Sequence, residues 1–522
     1  MLDTTLRDGA QTTGVSFTLE EKLKIAEKLD ELGVDYIEGG WPASNPKDSE
    51  FFKRVKELSI CRSKIAAFGS TLKKGTPPDL DQSLNSIIDS DVPVAVIFGK
   101  SWTLHVERVL RCTLEDNLEL IWTSIDYLRK HGLEVIFDAE HFFDGYLDNP
   151  DYALKVLEVA QEAGAETIVL ADTNGGNIFT TIMKIVSLVR GKITKNIGIH
   201  THNDSGLAVG NTLAAVEAGA RHIQGTINGL GERCGNADLV QILPTLMLKM
   251  GYNALKTNVP VSEKLKKLKS ISTYVAEAST IPLSPYHPYV GEYAFSHKGG
   301  VHVDAVLKEK RAYEHIDPTL VGNITRLVVS EQAGRAAVLQ EALEMGLELS
   351  KDDPAVGKAL QEIKNMEARG YRFDNAVGSI RLVILKALGY NVDRLKIISW
   401  RTLVERGPTE RVEAVVILHV DGDVVHGVGN GVGPVHALDL ALRDALLRKL
   451  PHLEKVKLTN YKVSVVDAAE GTGAAVRVFI EFTDGQTNWA CTAYSRNILE
   501  ASLNALIDGY TYKMIIHELS RN

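Results

Sequence analysis

Only four cysteines occur in 522 residues, Cys61, Cys112, Cys234 and Cys491, and no two form a Cys-x-x-Cys pair. Such spacing excludes a disulfide frame and a thiolate zinc clip, and reads as reduced thiols of a cytoplasmic protein. Long apolar runs are also missing. Charged residues interrupt every hydrophobic stretch well short of the ~20 residues needed to cross a bilayer, so no membrane segment is expected. Nor is there an excess of positive charge. Lys and Arg total 58 against 67 Asp and Glu, a net charge of -9, which leaves no basic footprint for nucleic acid. A Gly-Lys-Ser/Thr phosphate loop does not occur. The run Gly427-Val428-Gly429-Asn430-Gly431-Val432-Gly433 fails the dinucleotide spacing, because Val432, Pro434 and His436 stand where a further glycine is required. That run is expected to be a flexible strand-to-helix turn with Pro434 in the first helical turn. The chain opens directly on chemistry-bearing residues, so no signal peptide is expected ahead of them.

What the chain does have is 44% hydrophobic residues, enough for the two or three domains its length suggests. Val- and Ile-rich runs lie near 36–40, 64–69, 94–99, 134–140, 167–172, 197–202 and 222–227, each followed by helical periodicity. The run at Leu2 makes eight. Gly33, Gly132, Gly164 and Gly219 each end a helix as a left-handed cap, and Ile37, Ile136, Ile168 and Ile223 follow in the next strand. This rhythm over residues 1–255 predicts a (β/α)8 barrel, with chemistry at the C-terminal strand ends. A doubly wound open sheet is the competing topology.

The reactive residues fall where a barrel would need them. Arg7 and Asp8 are expected at the end of strand 1, Glu38 at strand 2, Asp138 and Glu140 at strand 5, Thr173 at strand 6, and His200 and His202 at strand 7. Side chains two apart in a strand share a face, so His200 and His202 of Ile199-His200-Thr201-His202-Asn203-Asp204 can both point at one cation. Asp8 offers a third ligand and Arg7 a fixed positive charge. Two imidazoles and a carboxylate suit a divalent ion with open positions, such as Zn²⁺, Mn²⁺ or Co²⁺. A polar His-x-His on a surface strand is the plain alternative.

Three motifs carry a resemblance: Asp3-Thr4-Thr5-Leu6-Arg7-Asp8-Gly9-Ala10-Gln11, His200-Thr201-His202-Asn203-Asp204 and Gly229-Leu230-Gly231-Glu232-Arg233-Cys234-Gly235-Asn236-Ala237. They are similar to those of the metal-dependent acyl-CoA condensing barrels, the isopropylmalate, homocitrate and citramalate synthases. Ile37-Glu38-Gly39-Gly40-Trp41-Pro42 and Phe137-Asp138-Ala139-Glu140-His141-Phe142-Phe143-Asp144-Gly145-Tyr146 look most like the citramalate branch. The resemblance implies Claisen-type condensation of acetyl-CoA with an α-keto acid, pyruvate in that branch, followed by thioester hydrolysis on the route to isoleucine. It implies Asp8, His200 and His202 as ligands of a divalent metal (Zn, Mn, Co or Mg), with Asn236 approaching it directly or through water. Arg7 would steady oxygen charge, and Thr173 would hold the substrate carboxylate, although Asp172-Thr173-Asn174-Gly175 departs from the usual Asp-Thr-Val-Gly. Glu140, His302 and Tyr313 match the residues that handle protons, with His297 a lower-ranked rival to His302. His302 and Tyr313 lie in a linker that, in this family, reaches into a partner subunit's site, which implies a homodimer.

Residues 256–395 read as this linker and helical subdomains, where Arg326 and Arg335 are expected to be solvated or paired. Residues 396–522 contain an internal repeat. Val412–Ile417 and Asp421-Gly422 lead into Gly433–Leu442, and Val476–Glu481 and Asp484-Gly485 into Asn497–Leu506. Each half reads as strands joined by an Asp-Gly hairpin and followed by an amphipathic helix. It resembles the family's regulatory domain, which implies an amino-acid effector such as isoleucine, while a domain used only for dimer packing is the alternative. Trp41, Phe142, Phe143 and Tyr146 are bulky groups near strand ends that would favour a keto acid as small as pyruvate. A branched-chain keto acid, an acyl-CoA lyase on the same barrel, and a non-catalytic amino-acid sensor remain as alternatives.

Overall fold

A computed structural model of the chain describes residues 1–256, 259–297, 300–327, 335–373, 375–405, 407, 411–466 and 468–521. It forms two units, Met1–Phe295 with Ile316–Ile324, and Ser296–His315 with Thr325–Asn522.

In the first unit eight parallel strands run in the order β1 (Leu2–Asp3), β2 (Tyr36–Gly40), β3 (Lys64–Ser70), β4 (Val94–Lys100), β5 (Glu134–Glu140), β6 (Thr167–Asp172), β7 (Asn196–Thr201) and β8 (His222–Gly225). Pairing of Leu2 with Gln224 and of Asp3 with Gly225 closes the barrel and excludes the open sheet. The two-residue period sorts the side chains. Leu2, Ala66, Phe68, Val94, Val96, Ile136 and Val169 cluster inside the barrel, while Ile37, Ala67, Ile97, Phe137, Ile168 and Leu170 pack in the core under the helices. Glu38, Asp138, His200 and Gln224 share the parity of the inner set and are buried. The expected joints form, with φ of +93° at Gly33, +85° at Gly132, +101° at Gly164 and +112° at Gly219, a region where a side chain is strained.

His222 on β8 is also buried, and among the described residues its Nε2 has no hydrogen-bond partner. Burial holds this imidazole well below its ordinary pKa, so the folded chain keeps it neutral. The unfolded chain takes up a proton there below about pH 6.5. The unfolded state then binds more protons, and stability falls as pH drops, by about 1.4 kcal/mol per pH unit for one histidine. Urea unfolding at pH 7 and pH 5 is expected to show a slope that His222→Phe reduces by about one proton, the new ring keeping the contact with Tyr36. An unchanged slope would show that His222 titrates alike in both states.

In the second unit, helices Gly300–Lys308, Arg335–Glu344, Pro354–Ala368 and Val377–Ala387 surround Val303, Val338, Ile363, Phe373 and Ile384. Two short strands, β9 (Ser296–His297) and β10 (Arg326–Leu327), pair in parallel. The repeat follows as β11 (Leu395–Glu405), β12 (Arg411–Val420) and β13 (Asp423–Asn430) with helix Pro434–Leu447, then β14 (Lys457–Val465), β15 (Val476–Thr483) and β16 (Asn488–Ser495) with helix Ile498–Leu519. Each half therefore has one strand more than the single hairpin legible in the sequence. Asp421 and Gly422, with φ of +54° and +90°, make the two-residue turn whose twist matches its flanking strands.

The glycine run departs from the expected flexible turn. Gly427 and Gly429 lie inside β13, where a Cβ would run into the carbonyl oxygens of Ala441 and Ala437. The glycines let helix Pro434–Leu447 lie close on the strand, and only Gly431–Gly433 forms the turn, with Pro434 at the first helical position. Helix Val377–Ala387, which precedes the repeat, packs on β16: a Cβ at Gly378 would meet Cys491 Sγ at 2.7 Å, and Thr492 N–H donates to Ser379 Oγ at 2.9 Å.

Candidate active site

β1 ends at Asp3, so Arg7 and Asp8 are not on the strand as expected but in the turn that follows it. The Thr4 carbonyl accepts from the N–H groups of Arg7, Asp8 and Gly9 at 3.2, 2.9 and 3.1 Å. Asp3 accepts from Thr5 N–H at 2.9 Å and Thr5 Oγ1 at 3.0 Å, and that hydroxyl oxygen accepts from Ile227 N–H at 2.9 Å. Burial pushes the Asp3 carboxyl up to about 7 despite the Thr5 hydrogen bonds. This buried turn aims Arg7 and Asp8 at the barrel mouth.

Glu38, in mid-strand on β2, accepts from Arg7 Nε at 2.7 Å. The Arg7 guanidinium lies 3.7 Å from the centre of the Phe68 ring, and its NH1 is 3.6 Å from Asp8 Oδ1. Burial opposes its charge, but Glu38 and Asp8 outweigh that and raise its pKa further.

His202 lies one residue past the end of β7, held by its N–H to Asp172 O at 3.2 Å and by a bridge to Asn236. Its Nε2 is 3.2 Å from His200 Nε2, which is 3.4 Å from Asp8 Oδ2. One ligand atom from each of Asp8, His200 and His202 falls within 4.8 Å of the others, and all three residues are buried. Asn236 Nδ2 donates to Asp8 Oδ2 at 2.6 Å, while its Oδ1 is buried with no partner among the described residues. Glycines make room for that amide. A Cβ at Gly231 would overlap the Asn236 side chain, and one at Gly235 the Gly229 carbonyl. Burial works against the Asp8 carboxylate, but the Arg7 guanidinium first, and also the Asn236 hydrogen bond, hold it below its usual range. Burial, followed by the neighbouring His200, brings His202 down to about 3, and burial lowers His200 too. A carboxylate beside two neutral imidazoles is a donor set that fits a divalent cation, whereas Asn236 turns its amide nitrogen to Asp8 and His200 and its oxygen toward Gly231.

Thr173 follows the last residue of β6, and its Oγ1 accepts from His141 N–H at 2.9 Å, leaving the hydroxyl hydrogen for another acceptor. Glu140 is the last residue of β5, half-buried, in register with Lys100 at the end of β4, and the two form an ion pair. Lys100 was not among the expected site residues. Its signal was present, because Val94, Val96, Phe98 and Lys100 alternate onto one face.

The aromatic expectation needs correction. Phe142 and Phe143 are fully buried in the core beneath the helices, with Tyr146 packed against them. Only Trp41 joins the barrel interior, meeting Phe68 at 5.6 Å and Phe98 at 5.9 Å. Phe68 and Phe98 stack at 5.5 Å, with Arg7 over the Phe68 ring, and neither was anticipated.

In the second unit the rings of His302 and Tyr313 stack at 4.3 Å, with His302 exposed and Tyr313 44% accessible. The rival His297 sits with Nε2 3.5 Å from the buried Glu314. Lys298 and Gly299 of that segment lie outside the described residues. Arg335 is exposed and 3.8 Å from Asp352.

Residues 1–275 match the HMGL-like family, 289–371 the homocitrate synthase post-HMGL domain-like family, and 376–514 the LeuA allosteric (dimerisation) domain. The chain is 52% identical to an (R)-citramalate synthase of Sulfolobus acidocaldarius, over 100% of this chain and 98% of that protein. It is 46% identical to an (R)-citramalate synthase of Geobacter sulfurreducens, over 98% of this chain and 97% of that one. A 2-isopropylmalate synthase of Methanocaldococcus jannaschii is 34% identical over 98% of this chain and 93% of its own length. With an Asp-His-His cluster at the mouth of an HMGL-like barrel and full-length identity to these relatives, the chain belongs to the (R)-citramalate synthase family.

Proposed function

We propose that this chain joins the methyl carbon of acetyl-CoA to the ketone carbon of pyruvate and hydrolyses the thioester, releasing (R)-citramalate and CoA. The observation that carries this reading is the buried cluster of Asp8, His200 and His202 beside Arg7, in a chain of this family. Asp8, His200 and His202 would hold a divalent ion, with Asn236 beside them through its hydrogen bond to Asp8. When bound, that ion supplies Lewis-acid polarisation of the keto acid's carbonyl. Arg7, fixed by Glu38 and Phe68, stabilises the negative charge that develops on oxygen as the carbon–carbon bond forms. The Thr173 hydroxyl donates to the substrate carboxylate.

Removing a proton from a thioester methyl group needs a positioned base, because that carbon acid is far weaker than any side-chain acid. Glu140, paired with Lys100, is assigned to proton transfer, as are His302 and Tyr313. The dimerisation domain supports a homodimer, and isoleucine is the proposed effector of the duplicated domain. A keto acid of pyruvate's size suits the wall of Trp41, Phe68 and Phe98.

The test is a keto-acid panel with acetyl-CoA, following release of CoA thiol. Pyruvate is expected to give the highest kcat/KM against 2-oxobutanoate, 2-oxoisovalerate and 2-oxoglutarate. Preference for 2-oxoisovalerate with leucine inhibition would replace the reading by isopropylmalate synthesis, and acyl-CoA cleavage without condensation by a lyase. Truncation before Val377 is expected to remove isoleucine inhibition. A cut near residue 400 would leave helix Val377–Ala387 without the β16 surface it packs on.

A further inference from the structure

We infer that Gln224 is a positioning residue, whose side-chain carbonyl accepts from His200 Nδ1–H and so fixes the tautomer that turns a bare Nε2 toward Asp8 and His202. The inference rests on reading Asp8, His200 and His202 as a divalent-ion site. Gln224 is fully buried on β8, with Oε1 2.9 Å from His200 Nδ1. At its other end Nε2 donates to Asp138 Oδ1 on β5 at 2.8 Å. An amide has one donating and one accepting end. With the donating end committed to Asp138, the oxygen facing His200 can only accept. Nδ1 must then carry the hydrogen, and a neutral imidazole with hydrogen on Nδ1 has its lone pair on Nε2, the atom 3.4 Å from Asp8 Oδ2.

Glutamine also provides this acceptor without adding another carboxylate to a barrel interior that already buries Asp8, Glu38 and Asp138. The two histidines are not equivalent. His202 Nδ1 has no partner among the described residues, so the hydrogen bond that orients a ring from behind belongs to His200.

The experiment uses the full-length, metal-free protein titrated with Co²⁺ and followed by absorption. Gln224→Met, of similar volume and with no acceptor, is expected to weaken Co²⁺ binding by about 10- to 100-fold. Gln224→Glu keeps an acceptor against Nδ1 and is expected to recover most of that loss. Unchanged Co²⁺ affinity in Gln224→Met, with affinity lost in His200→Ala, would overturn the role of Gln224 and leave the metal site standing. Unchanged affinity in His200→Ala would instead overturn the metal site itself. Long-range ¹⁵N–¹H correlation on histidine-labelled wild-type protein reads the tautomer without requiring any variant at 224 to fold. Hydrogen on Nδ1 of His200 is the expected signature, and hydrogen on Nε2 would overturn the assignment.

Discussion

Stripping the divalent ion from this protein is expected to lower turnover by at least about 10³-fold, because Lewis-acid polarisation of a carbonyl contributes several kcal/mol and each 1.4 kcal/mol is tenfold in rate. Added Zn²⁺, Mn²⁺, Co²⁺ or Mg²⁺ should restore activity to the wild-type chain. Asp8→Ala and His200→Ala should be as inactive and stay so when metal is returned. In the first, a carboxylate held ionised by Arg7 beside two imidazoles is gone. In the second, the ring between Asp8 and His202 is missing. The check is CoA release measured alongside metal content by elemental analysis. Full turnover by metal-free protein would eliminate the metal-centred reading, whatever the geometry of the cluster.

Glu140→Gln and His302→Ala are expected to lower kcat by about 10²- to 10⁴-fold, the range over which a positioned base contributes, while metal content stays near that of the wild type. Glutamine keeps the size of Glu140 but removes both its basicity and its ion pair with Lys100. His302 is exposed and stacked on Tyr313, and it is not one of the three clustered ligand-type residues, so its loss should leave that cluster intact. Lost metal in either variant would mean that a structural role has been taken for base chemistry. If the segment bearing His302 serves a partner's barrel, mixing inactive His302→Ala with inactive Asp8→Ala should regenerate activity. Absence of complementation under demonstrated subunit exchange would place each site within one chain.

Much of this was open to reading in the order of residues. The strand spans matched closely because alternation with period two, punctuated by glycine caps such as Gly33 and Gly164, is a local property. His200 and His202 were visible for the same reason, since two residues of one extended segment share a face without help from the rest of the fold. The Asp421-Gly422 hairpin was likewise written into its own dipeptide. Other features depended on what lies across space. Phe142 and Phe143 occupy the helix-covered core, whereas the unremarked Phe68 and Phe98 stack inside the barrel with Arg7 over Phe68. Gly427 and Gly429 are defined by the helix lying on them, and helix Val377–Ala387 belongs with β16, more than a hundred residues away. Lys100 meets Glu140 only because β4 and β5 run in register. Gln224 reaches Asp138 across 86 positions of sequence only because the sheet closes. Sequence by itself determined the strands, the turns and the pairing of His200 with His202 on one segment, because short-range backbone geometry sets them. Tertiary structure decided which side chains hold those histidines and which line the barrel interior, because barrel closure and strand register join residues between which the chain has no local relation.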